Sequence, residues 1–290
     1  MPALHDRCSL RSEARDEALP GTASTVPRWL LLESAGPWGS DGLRDARLPA
    51  RTGAALHAFG HATRTRVLLI RRVDRLADVE GSVTSLVGDA RGPQPWVGRR
   101  LLPSVEAALD LDLDDRAAFD PVDEPVAIVC THGRRDVCCA ERGRPLALAT
   151  AAAFPRSTWE STHVGGDRFA ANLVLFPHAL YFGRVEAARG PEIVREYAEG
   201  RIVLERFRGR ASVSMAAQTA EVYLRRELGI RGVEEVVVEN ARRDGDRVEV
   251  RLRADGAERT VTVRRELGDP MRLTCHSATE EPPVSWVVVR

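Results

Sequence analysis

Two stretches decide the fold and carry the chemistry: VAIVCTHGRRDVCCA at residues 126–140 and WESTHVGGDRFAANLVLFPH at residues 159–178. The first predicts a short apolar strand that delivers Cys130 at its C-terminal end, then a polar loop, then a helix from about Cys139 to Phe154. The second predicts a strand at 159–162, a glycine-containing loop, and a strand pair turned at Pro177. Together they predict an α/β unit with its polar residues gathered beyond the strand ends.

Two further helices are predicted after the strand pair, over residues 191–206, with an interruption at Gly200 as the alternative, and over residues 212–228. Strand–helix–strand, then a hairpin and a helix, is a thioredoxin-like order of elements. We therefore expect residues 121–230 to form a thioredoxin-like domain.

The segments on either side of this domain show different sequence patterns. Residues 1–20 are polar and are expected to be loosely ordered, and residues 21–120 alternate predicted strands and helices in an N-terminal α/β lobe. Residues 231–290 show period-two alternation and predict a small C-terminal antiparallel β region, with Asp-Gly turns at 244–245 and 255–256. Within the lobe, strands are predicted at 29–33, 67–70, 83–87 and 96–102, and helices at 48–59 and 104–111.

Charge and composition exclude several functional classes. The 42 basic residues balance 42 acidic ones among 290 residues, so no global field favours nucleic acid or an anionic membrane. All the basic residues are Arg, which excludes a Schiff-base lysine and a P-loop. The N-terminus lacks the apolar core of a signal peptide, and no apolar run is long enough to span a membrane, so we expect a cytoplasmic protein.

The cysteines indicate thiols or metal ligands rather than disulfides, because their number is odd and three of the five fall within ten residues. The loop between Cys130 and Cys139 is long enough to fold back and bring both thiolates to one iron. A helix N-terminus also favours a thiolate at Cys139. The side chain of Cys138 should diverge from that of its neighbour, so the two are not expected to serve the same metal.

A second candidate ligand group is His163-Val-Gly-Gly-Asp167, where the glycines allow the backbone to wrap closely around a bound group. His163 is the expected imidazole ligand. Asp167 suits two roles equally, a fourth ligand or the N-cap of a helix over residues 168–172.

Other polar residues near these motifs are weaker candidates. His132, Cys138 and His178 are alternative fourth ligands, although His132 is better placed as a hydrogen-bond donor and His178 as a structural or exposed residue. Arg135 and Asp136 are expected to pair and fix the loop. Outside the motifs, Cys8 is expected to be a surface or lightly packed thiol, and Cys275 to pack in the C-terminal sheet, with contact to the site as the alternative.

The motif CTHGRRDVCCA at 130–140, followed by THVGGDRFAAN at 162–172, resembles the sucrase/ferredoxin-like family. The likeness extends from about Gly21 to Cys275. It implies a thioredoxin-like ferredoxin carrying a [2Fe–2S] cluster, bound in relatives by two Cys and by two His of a His-x-Gly-Gly-His motif. Carried over by position, the ligands here are Cys130, Cys139 and His163, with Asp167 where the second His would stand.

Three functions follow as hypotheses. The first is an iron–sulfur protein for electron transfer or redox sensing, a carrier rather than an enzyme with its own substrate, serving an unknown redox partner protein. The second is a thioredoxin-like thiol oxidoreductase using Cys138 or Cys139 with Cys130, which the spacing disfavours because such enzymes use Cys-x-x-Cys. The third is a zinc-stabilised binding module.

Overall fold

Ten strands join into one mixed sheet in the computed structural model, which describes residues 7–289. The order across the sheet is β10-β9-β8-β6-β7-β2-β1-β3-β4-β5. The strands are β1 Arg28–Glu33, β2 Arg66–Arg71, β3 Val83–Asp89, β4 Trp96–Leu102, β5 Asp120–Pro121, β6 Val126–Cys130, β7 Thr158–Ser161, β8 Leu173–Phe176, β9 Leu180–Phe182 and β10 Phe207–Arg210.

Five α-helices accompany the sheets in the described part of the chain: α1 Cys8–Ala14, α2 Thr52–Thr63, α3 Val137–Ala153, α4 Gly190–Ala198 and α5 Met215–Leu228. Short 3₁₀ turns occupy Glu106–Asp110, Arg116–Ala118, Asp167–Phe169 and Ala187–Arg189. The result is a mixed α/β structure in which α3 connects the parallel strands β6 and β7.

The centre of the large sheet is buried on both faces. Along β1, Trp29 and Leu31 pack into one apolar cluster while Leu30 and Leu32 pack into another. Alternate residues of a strand point to opposite faces, so a continuous apolar run is what a doubly covered strand requires. The first cluster also contains Cys130, which places the end of β6 at the border of the core.

A separate four-stranded antiparallel sheet follows in the order β11-β12-β13-β14, confirming the period-two prediction. Its strands are β11 Val236–Asp244, β12 Arg247–Ala254, β13 Ala257–Leu267 and β14 Val284–Val288. Residues of β12 alternate between exposed and buried along its length, and the buried ones pack against α5. The long connection between β13 and β14, residues 268–283, carries Cys275.

Most predicted strands are confirmed within one to three residues, but two predicted helices differ from the structure. The helix expected over residues 191–206 ends at Ala198, and Phe207–Arg210, just beyond it, forms the edge strand β10. Gly200 has a φ of 76°, a left-handed conformation that terminates a helix. The helix expected at 104–111 is a five-residue 3₁₀ turn, Glu106–Asp110.

The N-terminal segment is more ordered than expected. Residues 1–6 lie outside the described part, but Cys8–Ala14 forms α1, which lies against the turn Asp167–Phe169. Cys8 is fully buried, so the expectation of a lightly packed thiol is wrong. The packing partner is distant in sequence, and composition alone did not reveal it.

The large sheet crosses the expected boundary at residues 120 and 121, because β2 of the N-terminal part pairs with β7. The division into folding units stays a prediction. Among residues 7–289, no helix combines the length and the hydropathy needed to cross a membrane.

A buried ion network ties α5 to the edge of the sheet. Glu221 accepts hydrogen bonds from Arg210 at 2.8 Å and from Arg225 at 2.9 Å, and the side chains of Glu221 and Arg225 have no exposed surface. Burial raises the pKa of Glu221, but the two guanidinium groups outweigh it and lower that pKa below its ordinary value of 4.5.

We expect Glu221→Gln to lower the free energy of unfolding by about 3 kcal/mol, because two buried guanidinium groups lose their counter-charge. The folded-state pKa is depressed, so this difference from wild type should be complete above the ordinary value of 4.5 and shrink as the pH falls through the folded-state pKa. Urea denaturation across this pH range measures it. Glu227→Gln, exposed on the same helix, is the matched control and should match wild type.

Candidate metal centre

Strand β6 and helix α3 place two cysteines side by side. Cys130 is the last residue of β6, and Cys139 lies in the first turn of α3. The helix begins where it does because the carboxylate of Asp136 caps it, accepting a hydrogen bond from the backbone N–H of Cys138 at 2.9 Å. Both Cys130 and Cys139 are buried.

Gly143 lets the helix approach the strand this closely. A Cβ atom at this position would lie 2.1 Å from the carbonyl oxygen of Cys130, far inside van der Waals contact. Glycine in a helix interior costs about 1 kcal/mol relative to alanine. Glycine is nevertheless required at this position, because α3 crosses the end of β6 too closely for a side chain.

Side-chain hydrogen bonds to its backbone carbonyl oxygens hold the loop from His163 to Gly166 in place. Gly165 and Gly166 have φ angles of 101° and 80°, which glycine adopts without strain. Each of the four carbonyl oxygens accepts at least one side-chain hydrogen bond, and the donors are, in chain order, Arg66, Tyr181 together with Ser24, Arg208 and Asn172. The loop is therefore rigidly placed before any ligand binds.

The loop brings His163 and Asp167 to the two thiols. The Sγ atoms of Cys130 and Cys139 and a ring nitrogen of His163 lie within 4.8 Å of one another. Asp167 Oδ1 is 2.8 Å from His163 Nδ1 and accepts a hydrogen bond from Cys139 Sγ at 3.1 Å. The helix-capping role of Asp167 is wrong, because its turn is only three residues long and Gly166 holds the N-cap position.

The pKa values of Cys130, Cys139 and His163 are shifted in different directions. The hydrogen bond from Cys139 and the nearby imidazole hold the pKa of the Cys130 thiol well below its usual range, against the effect of burial. The same hydrogen bond and burial raise the pKa of Cys139. For His163, burial opposes the imidazolium, but Asp167 and Cys130 outweigh it and raise the pKa to about 9.

The donor set fits a metal. Nδ1 of His163 is buried and pairs with the Asp167 carboxylate at 2.8 Å, so both groups are candidate ligands beside the two thiols. Thr131 Oγ1 and Ser161 Oγ are buried with no hydrogen-bond partner among residues 7–289. Thr131 follows Cys130 in the chain, and Ser161 of β7 is paired with Cys130 of β6. Unsatisfied polar atoms of this kind are costly in a protein interior unless a bound group offsets them.

Hydrogen bonds show the roles of two weaker ligand candidates, His132 and His178. His132 bonds the carbonyl oxygen of Gly39 through Nε2 at 2.9 Å and accepts the backbone N–H of His163 through Nδ1, which confirms a hydrogen-bonding role. His178 lies outside this group, between the hydroxyl of Tyr197 and the carboxylate of Glu234, both at 2.6 Å.

The expected pairing of Arg135 with Asp136 is wrong. Arg135 is exposed, whereas Asp136 is fully buried and bonds the backbone N–H groups of Cys138 and Cys275. Asp136 caps α3 instead of pairing with Arg135, because α3 begins two residues earlier than expected.

A second cysteine group, which sequence reasoning missed, lies on the other side of the same helix turn. It consists of Cys8, Asp136, Cys138 and Cys275. Cys275 belongs to the β13–β14 connection rather than to a strand, so the expectation that it packs in the C-terminal sheet is wrong. The cysteine pair at 138–139 was the one local signal, since adjacent side chains diverge.

A family model described as sucrase/ferredoxin-like matches residues 19–209, which is more than half of the chain and contains both motifs. The chain belongs to the sucrase/ferredoxin-like family. Among curated proteins, "Altered inheritance of mitochondria protein 32" from Candida glabrata is 29% identical over 121 residues, 36% of this chain and 39% of that protein. This sucrase/ferredoxin-like chain thus matches well under half of that relative's length. No solved structure matches it.

We expect Gly143→Ala to destabilise the protein by about 2 kcal/mol despite the better helix propensity of alanine, because its methyl group would meet the Cys130 carbonyl. Denaturant unfolding measures the change. Leu148→Ala, at an exposed position of α3, should stay within about 0.5 kcal/mol of wild type. A Gly143→Ala variant as stable as wild type would contradict the close approach of α3 to β6.

Proposed function

We propose that this protein is a thioredoxin-like [2Fe–2S] ferredoxin that transfers electrons or senses redox state. The observation that carries the proposal is the convergence of Cys130, Cys139 and His163 within 4.8 Å, with Asp167 in contact with two of them. Membership of the sucrase/ferredoxin-like family supports it. Under this proposal the four residues hold the cluster.

The arrangement of elements supports the thioredoxin-like part of the proposal. Strand β6 runs parallel to β7, with α3 between them in sequence, and β8 and β9 follow as an antiparallel hairpin beside β6. Helix α4 comes next. This is the strand–helix–strand, hairpin, helix order expected from the sequence.

When bound, a [2Fe–2S] cluster supplies one-electron redox chemistry whose potential depends on ligand charge. Two thiolates, one neutral imidazole and one carboxylate carry one negative charge fewer than four thiolates. They carry one more than two thiolates with two imidazoles. We therefore place the potential between those of the two ligand types.

The chain's own residues isolate the centre and leave one edge open. Cys130, Cys139 and Asp167 are at most 3% exposed, whereas 23% of the His163 side chain reaches solvent. Electron exchange with a partner therefore has its shortest path at the imidazole edge. A redox partner protein, and a cytoplasmic location, stay predictions.

The burial of the cysteines disfavours the thiol oxidoreductase alternative. Attack on a substrate disulfide needs an accessible thiolate. Cys138 and Cys139 are at most 1% exposed, and Cys138 belongs to a different group from its supposed resolving partner Cys130.

We expect anaerobically purified protein to be brown, with the reduced-state EPR signal of a [2Fe–2S] cluster, and to lose both in Cys130→Ser and His163→Ala. Asp167→Ala should change or abolish the signal, because a ligand oxygen is removed. His178→Ala, remote from the centre, is the matched control and should keep the spectrum of wild type. Iron and acid-labile sulfide analysis completes the measurement.

A protein that stays colourless after anaerobic reconstitution with iron and sulfide would exclude the cluster. An unchanged spectrum in Asp167→Ala would retain the cluster but remove Asp167 from its ligands.

A further inference from the structure

Three thiols meet at a point that the proposed cluster does not use. The Sγ atom of Cys138 lies 3.7 Å from that of Cys8 and 3.3 Å from that of Cys275, and the Cys8 and Cys275 sulfurs are 3.5 Å apart. The carboxylate oxygens of Asp136 lie 3.7 and 3.8 Å from the Cys8 sulfur. All five cysteines of the chain are free thiols.

These spacings are within about 0.5 Å of those around a single tetrahedral ion. With Zn–S distances of about 2.3 Å, tetrahedral geometry puts two sulfur ligands about 3.8 Å apart. With a Zn–O distance of about 2.1 Å, a carboxylate oxygen falls about 3.6 Å from each sulfur. We propose that Cys8, Cys138, Cys275 and Asp136 form a structural site for one Zn²⁺ ion, separate from the Cys130–Cys139–His163 centre.

The ligand chemistry selects zinc among the common divalent ions. Three thiolates are soft ligands, which exclude Mg²⁺ and Ca²⁺, and four protein ligands leave no open position, as in structural zinc sites. Binding is a simple exchange, in which each coordinating thiol releases its proton to water and forms a Zn–S bond.

Hydrogen bonds already favour thiolates at this place. The backbone N–H of Cys8 donates to the Cys275 sulfur at 3.4 Å, and the hydroxyl of Ser9 donates to the Cys138 sulfur at 3.3 Å. The backbone N–H of Cys275 donates to Asp136 Oδ2 at 2.7 Å. Such outer contacts orient metal ligands and strengthen them.

The site joins segments that are distant in the chain. Cys8 lies 130 residues before Cys138, and Cys275 lies 137 residues after it. Cys8 and Cys275 both fall outside residues 19–209, where the family model matches. A zinc ion here would fasten α1 and the β13–β14 connection to the start of α3, closing two long loops.

The test is zinc content per chain, measured by mass spectrometry on full-length protein purified anaerobically without chelator. We expect about one zinc per chain in wild type and background zinc in both Cys8→Ala and Cys275→Ala. Cys139→Ala is the matched control, because it removes the neighbouring thiol from the other centre, and it should keep the zinc. Cobalt substitution should give the absorption of a tetrahedral thiolate site, lost in the same two variants.

Near-ultraviolet circular dichroism reports whether each variant is folded. Should Cys8→Ala fail to fold, Cys275→Ala, at a half-buried position in a surface connection, decides the outcome. Wild type that holds no zinc even after anaerobic addition of zinc overturns the proposal. So does zinc that is lost with Cys139→Ala and kept with Cys275→Ala, or a Cys138–Cys275 disulfide in the anaerobic protein.

Discussion

The close contact between helix α3 and the end of strand β6 is the constraint on which both cysteine groups depend. It exists because Gly143 has no side chain to collide with the Cys130 carbonyl. The same approach sets Cys139 beside Cys130 and turns Cys138 to the opposite side. One helix N-terminus, capped by Asp136, therefore supplies a thiol to each of two groups. A shift of this helix by a fraction of an ångström would alter both.

Arginine performs structural work around this helix and loop. Arg66 and Arg208 hold carbonyl groups of the His163–Gly166 loop, and Arg210 and Arg225 enclose Glu221. A guanidinium group bonds several acceptors in a fixed plane and keeps its charge when buried. The chain has no lysine, and arginine tolerates burial better than lysine does, as the fully buried Arg208 and Arg225 illustrate.

Local sequence patterns predicted the elements whose structure depends on neighbouring residues. The strands around Leu31, Val129 and Leu175 were predicted correctly because apolar runs between turn residues have few other outcomes. The proximity of Cys130, Cys139 and His163 was predicted because they belong to two short motifs. Strand β10 was missed because Phe207–Arg210 gains its structure from pairing with β9, not from its own pattern. Cys8 and Cys275 were misplaced for a similar reason. Their partners are more than a hundred residues away, and spacing carries no information at that range.

The two cysteine groups differ in when the chain can complete them during synthesis. Every residue of the Cys130–Asp167 group has been made once residue 167 is added, whereas the other group waits for Cys275, 267 positions after Cys8. Domains fold as their residues leave the ribosome, the N-terminal parts first. The contact of Cys275 with α1 and α3 thus forms only after residue 275 has been made, and a product terminated before that residue would leave Cys8 and Cys138 without their third thiol.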